Sequence, residues 1–141
     1  MSKSIETDYQ TSVSFYDVDS MNVAWHGHYA RFFEDARCAL LDLIGYDYLS
    51  MKKGGYAWPV VSLKVKYIKP LTFRQAITIK TILTEYENRL RIKYIVTDKE
   101  TGEKLSTGET TQMAIDLSNN TTCFVSPDEL LLKVQNFLKK V

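Results

Sequence analysis

Residues 15–29 contain the side chains with the clearest chemical potential in the chain. Their sequence is FYDVDSMNVAWHGHY, in which two acidic residues precede a His-Gly-His segment. A carboxylate can deprotonate a water molecule or attack a carbonyl carbon directly. The unpaired N–H groups at a helix N-terminus can stabilise the negative charge that then develops on the carbonyl oxygen. A carboxylate, an imidazole and a helix start in one short segment therefore predict a hydrolytic site.

The helix of this site is predicted from Tyr29 onward. Apolar residues recur there at steps of three and four, which is the period of one helical face; they are Tyr29, Phe32, Phe33, Ala36, Leu40, Leu43 and Ile44. Gly45 follows the last of them and is expected to cap the C-terminus of the helix. An apolar face of this width needs a large surface to cover it.

A sheet is predicted to provide that cover. Apolar and polar residues alternate, as in strands with one buried side, over residues 11–16, 60–69, 76–85, 89–97 and 103–116. Short connections between the later strands favour antiparallel pairing. A short C-terminal helix follows, with Ser126 as N-cap, Pro127 at its first position and Glu129 completing a capping box. This order predicts an α+β fold in one domain, residues 1–141.

Composition limits the classes of function. The formal net charge of +1 provides no overall field that would attract nucleic acid. Apolar runs are too short for a membrane span, and the N-terminus lacks the apolar core of a signal peptide. Cys38 and Cys123 have no metal-ligand spacing and are too few for a disulfide framework. We therefore expect a cytoplasmic protein that needs neither a metal nor a cofactor.

Three segments of the chain resemble one family of enzymes. These are residues 16–29, with the Asp17-Val18-Asp19 motif, residues 31–37 (RFFEDAR) and residues 65–70 (VKYIKP). Together they resemble the hotdog-fold acyl-CoA thioesterases of the 4-hydroxybenzoyl-CoA thioesterase-like family. The match is closest to the bacterial branch that accompanies the Tol-Pal cell-envelope system. The resemblance implies a hotdog fold, in which a curved antiparallel sheet wraps around one long central helix.

The resemblance also implies roles for individual residues. Asp19 stands at the catalytic position, where it would act as general base on water or as nucleophile through a mixed anhydride. Backbone N–H groups near His26, Gly27 and His28 would polarise the thioester carbonyl, and the side chain of His26 would assist. Arg89 would meet the phosphates of coenzyme A. The chain departs from the family in the turn Ser20-Met21-Asn22, where relatives usually carry glycine, and this departure bears on substrate choice.

Several of these residues also have purely structural interpretations. Asp17 is assigned to turn or capping chemistry, and Trp25 to packing in the core or between subunits. His28 is equally consistent with an ordinary residue at a helix start, and Arg89 with a solvated surface charge. Cys38 is interpreted as a buried structural thiol.

Hydrolysis of acyl-CoA to a free acid and coenzyme A is the leading hypothesis. Thioesters of acyl carrier protein are the closest alternative substrates. A hotdog dehydratase or hydratase places its acidic residue differently, and a non-catalytic acyl-binding protein has no need of the Asp19 carboxylate beside a neutral thioester. The resemblance further implies a homodimer or homotetramer.

Overall fold

The core of the fold is one five-stranded antiparallel sheet. The computed structural model describes residues 4–24 and 26–140, without the side chain of His26. The five strands are β1 (Ile5–Ser12), β3 (Val60–Tyr67), β4 (Ala76–Glu85), β5 (Leu90–Asp98) and β6 (Lys104–Gln112), in the spatial order β1-β4-β5-β6-β3. A separate three-stranded sheet contains β2 (Tyr56–Ala57), β7 (Ile115–Asp116) and β8 (Thr121–Thr122). The role expected for Trp25 lies outside the described residues.

The long helix packs against the large sheet as predicted. Helix α1 (Tyr29–Ile44) buries Phe33, whose ring stacks on that of Tyr94 in β5 with 4.5 Å between the ring centroids. Gly108 in β6 makes this close approach possible, because a Cβ atom there would overlap the Phe33 ring. The helix ends at Gly45, which has a left-handed φ of 78° and donates its N–H to the last turn. The helix and its glycine cap are therefore confirmed, and so is its apolar face except at Leu43, which is 47% exposed while Leu41 is buried in its place.

The first strand lies earlier in the chain than predicted. Strand β1 covers Ile5–Ser12 and pairs with β4, whereas Phe15–Asp17 form a single 3₁₀ turn. Of the two apolar residues that suggested a strand over 11–16, Val13 is buried but Phe15 is 76% exposed. The true strand was missed because threonines occupy two of its four inward positions, which weakens the alternation.

The C-terminal part of the chain also differs in detail. The strand predicted over 103–116 is divided between β6 and β7, which belong to different sheets. Helix α3 (Asp128–Lys140) begins after Pro127, and among the described residues the buried Ser126 hydroxyl has no hydrogen-bond partner. Ser126 is therefore not the predicted N-cap. Leu130 and Val134 are buried as expected. The short helix α2 (Tyr48–Lys53) was not predicted.

The two edges of the large sheet have different surfaces. Strand β1 exposes Glu6, Asp8 and other polar side chains at one edge. Strand β3, at the other edge, exposes Val61, Leu63 and Tyr67, each at 44% or more of its surface. An exposed apolar edge strand is a site where another chain can pair.

The described residues were also compared with the requirements of a membrane span and of a metal site. None of the helices there is long and apolar enough to cross a membrane. Within the same ranges, no group of three His, Cys, Asp or Glu side chains is arranged to hold a metal ion.

Candidate functional site

The carboxylate of Asp19 lies in a tight, exposed turn. Its Oδ1 accepts hydrogen bonds from the backbone N–H of Met21 at 2.8 Å and of Val23 at 3.4 Å. The backbone N–H of Asp19 in turn donates to the Val23 carbonyl at 3.0 Å. Asn22 has a left-handed φ of 62°, a conformation that asparagine tolerates better than most residues. The turn that relatives build with glycine is thus built here with asparagine.

The two oxygens of the Asp19 carboxylate differ in their contacts with the described residues. Both hydrogen bonds fall on Oδ1, and Oδ2 accepts none from the described residues. The turn therefore holds the carboxylate through Oδ1, on a residue that is exposed. A carboxylate held in this way can accept a proton from water or attack a carbonyl carbon.

The helix start follows this turn closely in space. After Val23, which forms an isolated bridge with Thr72, Ala24 donates its N–H to the Leu71 carbonyl at 2.7 Å. Residues 26–28 then form a 3₁₀ turn that leads directly into α1 at Tyr29. The His28 side chain makes no capping hydrogen bond there, and Gly27 is exposed. The predicted role of the His26 side chain lies outside the described residues.

A pocket joins the Asp19 turn to the helix start. It encloses about 180 Å³ and is lined by Val23, Ala24, Tyr29, Tyr67, Ile68, Lys69 and Pro70. The rings of Tyr29 and Tyr67 meet edge to face with 4.9 Å between centroids. Burial raises the pKa of the Tyr29 phenol, and a hydrogen bond with the Leu71 backbone partly opposes this rise. No local pattern in the sequence indicates this pocket, because its two walls, residues 23–29 and 67–70, are distant in the chain.

Asp17 is the clearest difference from expectation. Its side chain is fully buried, at 0% exposure. Its Oδ2 accepts the Ser14 N–H at 2.9 Å, which is the turn chemistry that was predicted. Its Oδ1, however, also forms an ion pair with the Arg31 guanidinium and lies 3.8 Å from Nδ1 of His28. The ion pair was missed because Arg31 stands fourteen positions later in the chain.

Arg31 itself is held on several sides. Its guanidinium carbon lies 5.3 Å from the centroid of the Tyr16 ring and 4.8 Å from that of Phe32. It also meets the exposed carboxylate of Asp35 at 3.3 Å. Partial burial tends to lower the pKa of Arg31, but the hydrogen bond and charge of Asp17 outweigh that effect and raise it. The guanidinium is thus a fixed positive charge in the first turn of α1.

Arg89 is not close to Asp19 within one chain. It lies in the connection between β4 and β5, where its Nε meets Glu85 Oε1 at 3.2 Å. The Asp19 turn contacts Thr72, which precedes the opposite end of β4. A strand rises about 3.4 Å per residue, so the ten residues of β4 separate the two ends by roughly 30 Å. The two predicted site residues are therefore at opposite ends of the sheet.

Other basic side chains lie together on the outer face of the sheet. Lys64, Lys66 and Lys93 line an open depression of about 370 Å³, together with Glu109. Lys64 and Lys66 lie two residues apart in β3, and Lys93 lies in β5. Cys38 is half-buried, and burial raises the pKa of its thiol, so it is poorly suited to act as a nucleophile.

Comparison with known proteins gives consistent matches. A family model described as the thioesterase-like superfamily matches residues 13–138. A candidate esterase of Synechocystis is 37% identical over 99 residues, which are 70% of this chain and 60% of that protein. A candidate acyl-CoA thioesterase, YneP of Bacillus subtilis, is 30% identical over 77 residues, which are 55% of this chain and 56% of that protein. The matched part thus spans less than two thirds of these curated relatives.

The fold comparison agrees over more of the chain. The crystal structure of a DHNA-CoA thioesterase from Staphylococcus aureus superposes with a TM-score of 0.81 and 28% sequence identity. The match covers 96% of this chain and 94% of that one. The predicted hotdog fold is therefore confirmed.

Proposed function

Because the chain belongs to the thioesterase-like superfamily, we propose that it is an acyl-CoA thioesterase that releases a free acid and coenzyme A. One observation carries the proposal. Val23 donates its N–H to Asp19 Oδ1 and, with Tyr29 at the start of α1, also lines the 180 Å³ pocket. A carboxylate, an apolar pocket and a helix N-terminus therefore share one place, which suits a thioester carbonyl.

The reaction follows from that arrangement. Asp19 Oδ2 takes a proton from water as the water oxygen attacks the thioester carbonyl, or Oδ2 attacks it directly and water later cleaves the mixed anhydride. The oxyanion is stabilised by backbone N–H groups near His26, Gly27 and His28, and loss of one donor of this kind typically costs about 3 kcal/mol in the transition state. Collapse of the tetrahedral intermediate then expels the thiolate of coenzyme A, which takes up a proton.

The pocket limits the acyl group that one chain can hold. An apolar cavity of about 150 Å³ is large enough to bind benzene. The 180 Å³ beside Asp19 therefore suits an acyl group the size of one aromatic ring or a short chain. The Tyr29 and Tyr67 rings provide apolar contact for such a group.

Self-association is part of the proposal. The apolar edge of β3 exposes Val61 and Leu63, which pairing with a second copy would cover. A homodimer, or two dimers in a homotetramer, would also allow Arg89 of one subunit to approach the Asp19 site of another. Within a single subunit, Arg89 is too distant to meet phosphates of a substrate at Asp19.

The cytoplasmic location and the Tol-Pal-associated branch remain predictions from the sequence.

Thiol release from a panel of acyl-CoAs tests the proposal. The panel includes short, aromatic and long acyl groups, and a chromogenic thiol reagent reports coenzyme A. We expect turnover on at least one member, with benzoyl-CoA or a short-chain acyl-CoA preferred over palmitoyl-CoA. The Asp19→Asn variant provides the matched control for contaminating activity.

Negative results are equally informative. Failure on every acyl-CoA, followed by turnover of acyl carrier protein thioesters, would move the substrate assignment to the carrier protein. Binding of acyl-CoA without hydrolysis of either class would contradict an enzyme and favour an acyl-binding protein.

A further inference from the structure

Asp17 has no role in the reaction as described, yet it is the more completely enclosed of the two acidic residues in the motif. At 0% exposure it is closed to water and substrate, so it is neither the general base nor the nucleophile. We propose that Asp17 is a positioning residue for the thioesterase reaction, holding the Asp19 turn and the helix start in a fixed relation. This inference rests on the proposed function.

The contacts of Asp17 connect the two halves of the site. Asp17 itself lies in the 3₁₀ turn that leads into the Asp19 turn. Its Oδ1 meets Arg31, in the first turn of α1, and faces the ring of His28, the last residue before α1. Its Oδ2 meanwhile fixes the local turn through the Ser14 N–H. One carboxylate thereby joins the segment that carries the base to the segment that carries the oxyanion donors.

Asp17 thus provides polar side-chain contacts that link the two segments. Tyr16 adds a contact of another kind, with its ring against the Arg31 guanidinium. The intervening chain includes Ser20 and Met21, which are exposed. The Asp17–Arg31 pair therefore acts beside the backbone bridges of residues 18, 23 and 24 in holding the base and the donors in a fixed relation.

Precise placement matters for this chemistry. Reacting groups must be held close to their productive geometry, and a displacement of about 1 Å can lower a rate by roughly a hundredfold. Binding energy from the coenzyme A portion is less sensitive, because it does not depend on the position of Asp19 relative to the carbonyl. Loss of Asp17 should therefore reduce kcat while changing KM little.

Asp17→Asn is the decisive variant, and Asp35→Asn is its matched control. Asparagine keeps the shape of Asp17 and an acceptor for Ser14 but removes the charge that holds Arg31. Asp35 also pairs with Arg31, at 3.3 Å, but from the exposed side of the helix. We expect kcat of Asp17→Asn to fall about 10- to 100-fold with KM within about threefold of the original, and Asp35→Asn to be unchanged.

Three further measurements separate positioning from stability. Rates are taken well below each variant's Tm and scaled to the folded fraction from circular dichroism. Hydrogen exchange, read at the amides of residues 26–31, should be faster in Asp17→Asn than in Asp35→Asn. The double variant Asp17→Asn/Arg31→Gln should lose no more kcat than Asp17→Asn alone, because the two side chains act as one unit.

The outcomes distinguish this inference from the proposed function. A lower Tm with an unchanged kcat per folded molecule would show that Asp17 is only structural and would overturn the inference. A KM that rises in proportion to the loss of kcat/KM, with kcat intact, would do the same. If the unmodified protein hydrolyses no thioester, the proposed function is refuted. If hydrogen exchange at residues 26–31 is unchanged in Asp17→Asn, the proposed link between Asp17 and the helix start is refuted separately.

Discussion

Asp17 and Asp19 are two residues apart and have opposite environments. Asp17 is buried and forms an ion pair with Arg31, whereas Asp19 is exposed and accepts hydrogen bonds from the amides of its own turn. The 3₁₀ turn at Phe15–Asp17 directs the first carboxylate inward, and the following backbone bridge between Val18 and Ala24 leads the second outward. Two identical side chains can therefore have separate tasks, because the surroundings decide which one water reaches.

The largest expected effect comes from removing the exposed carboxylate. Asp19→Asn should lower kcat by two to four powers of ten, the usual contribution of a general base. Because the asparagine oxygen can still accept the Met21 and Val23 N–H groups, stability should change little. Steady-state kinetics and circular dichroism measure the two quantities. Full activity in this variant would remove Asp19 from the site.

Removing the charge of the buried Asp17 should lower stability more than removing that of the exposed Asp19. Asp17→Asn leaves Arg31 without its inner partner, and an interaction lost in this way costs about 2 kcal/mol in the free energy of unfolding. Asp19→Asn should cost at most about 0.5 kcal/mol, as expected for an exposed substitution. Urea denaturation of both variants measures the difference. Equal losses would mean that burial does not separate the two residues energetically.

Arg89 extends the comparison to the far end of the sheet. If it binds phosphate in an assembled oligomer, Arg89→Ala should raise KM about tenfold, which corresponds to about 1.4 kcal/mol, and leave kcat unchanged. The effect should shrink at high salt, since exposed charges are screened. Lys64→Ala, in the outer depression, is the matched basic control. A larger rise in KM for Lys64→Ala would move the phosphate site to that depression.

The smallest effect concerns the turn that holds Asp19. Asn22 has a φ of 62°, which costs a residue with an ordinary side chain roughly 1 kcal/mol. Asn22→Ala should therefore lower stability by about that amount, and Asn22→Gly should not. Thermal unfolding of the pair provides the measurement. If both variants unfold at the same temperature, the turn is not strained at this position.

The parts of the fold that were predicted correctly depend on local interactions. Helix α1 was found from apolar residues at steps of three and four, and its end from Gly45, because neighbouring turns of a helix contact each other directly. Strand β1 was placed too late, and α2 and the small sheet were missed. Strand β1 pairs with β4 and β2 with β7, which are distant in the chain, and strands of two residues are too short to show an alternating pattern.

The sequence by itself determined the candidate segment, residues 15–29, the long helix that follows it and the α+β class. It did not assign the partner of Asp17, the pocket between Tyr29 and Tyr67 or the distance between Arg89 and Asp19. Tertiary structure decided these features, because each joins residues that only folding brings together or holds apart. A motif can reveal which side chains could react, but burial and long-range contacts decide which of them can meet a substrate and which one holds the neighbouring segments in place.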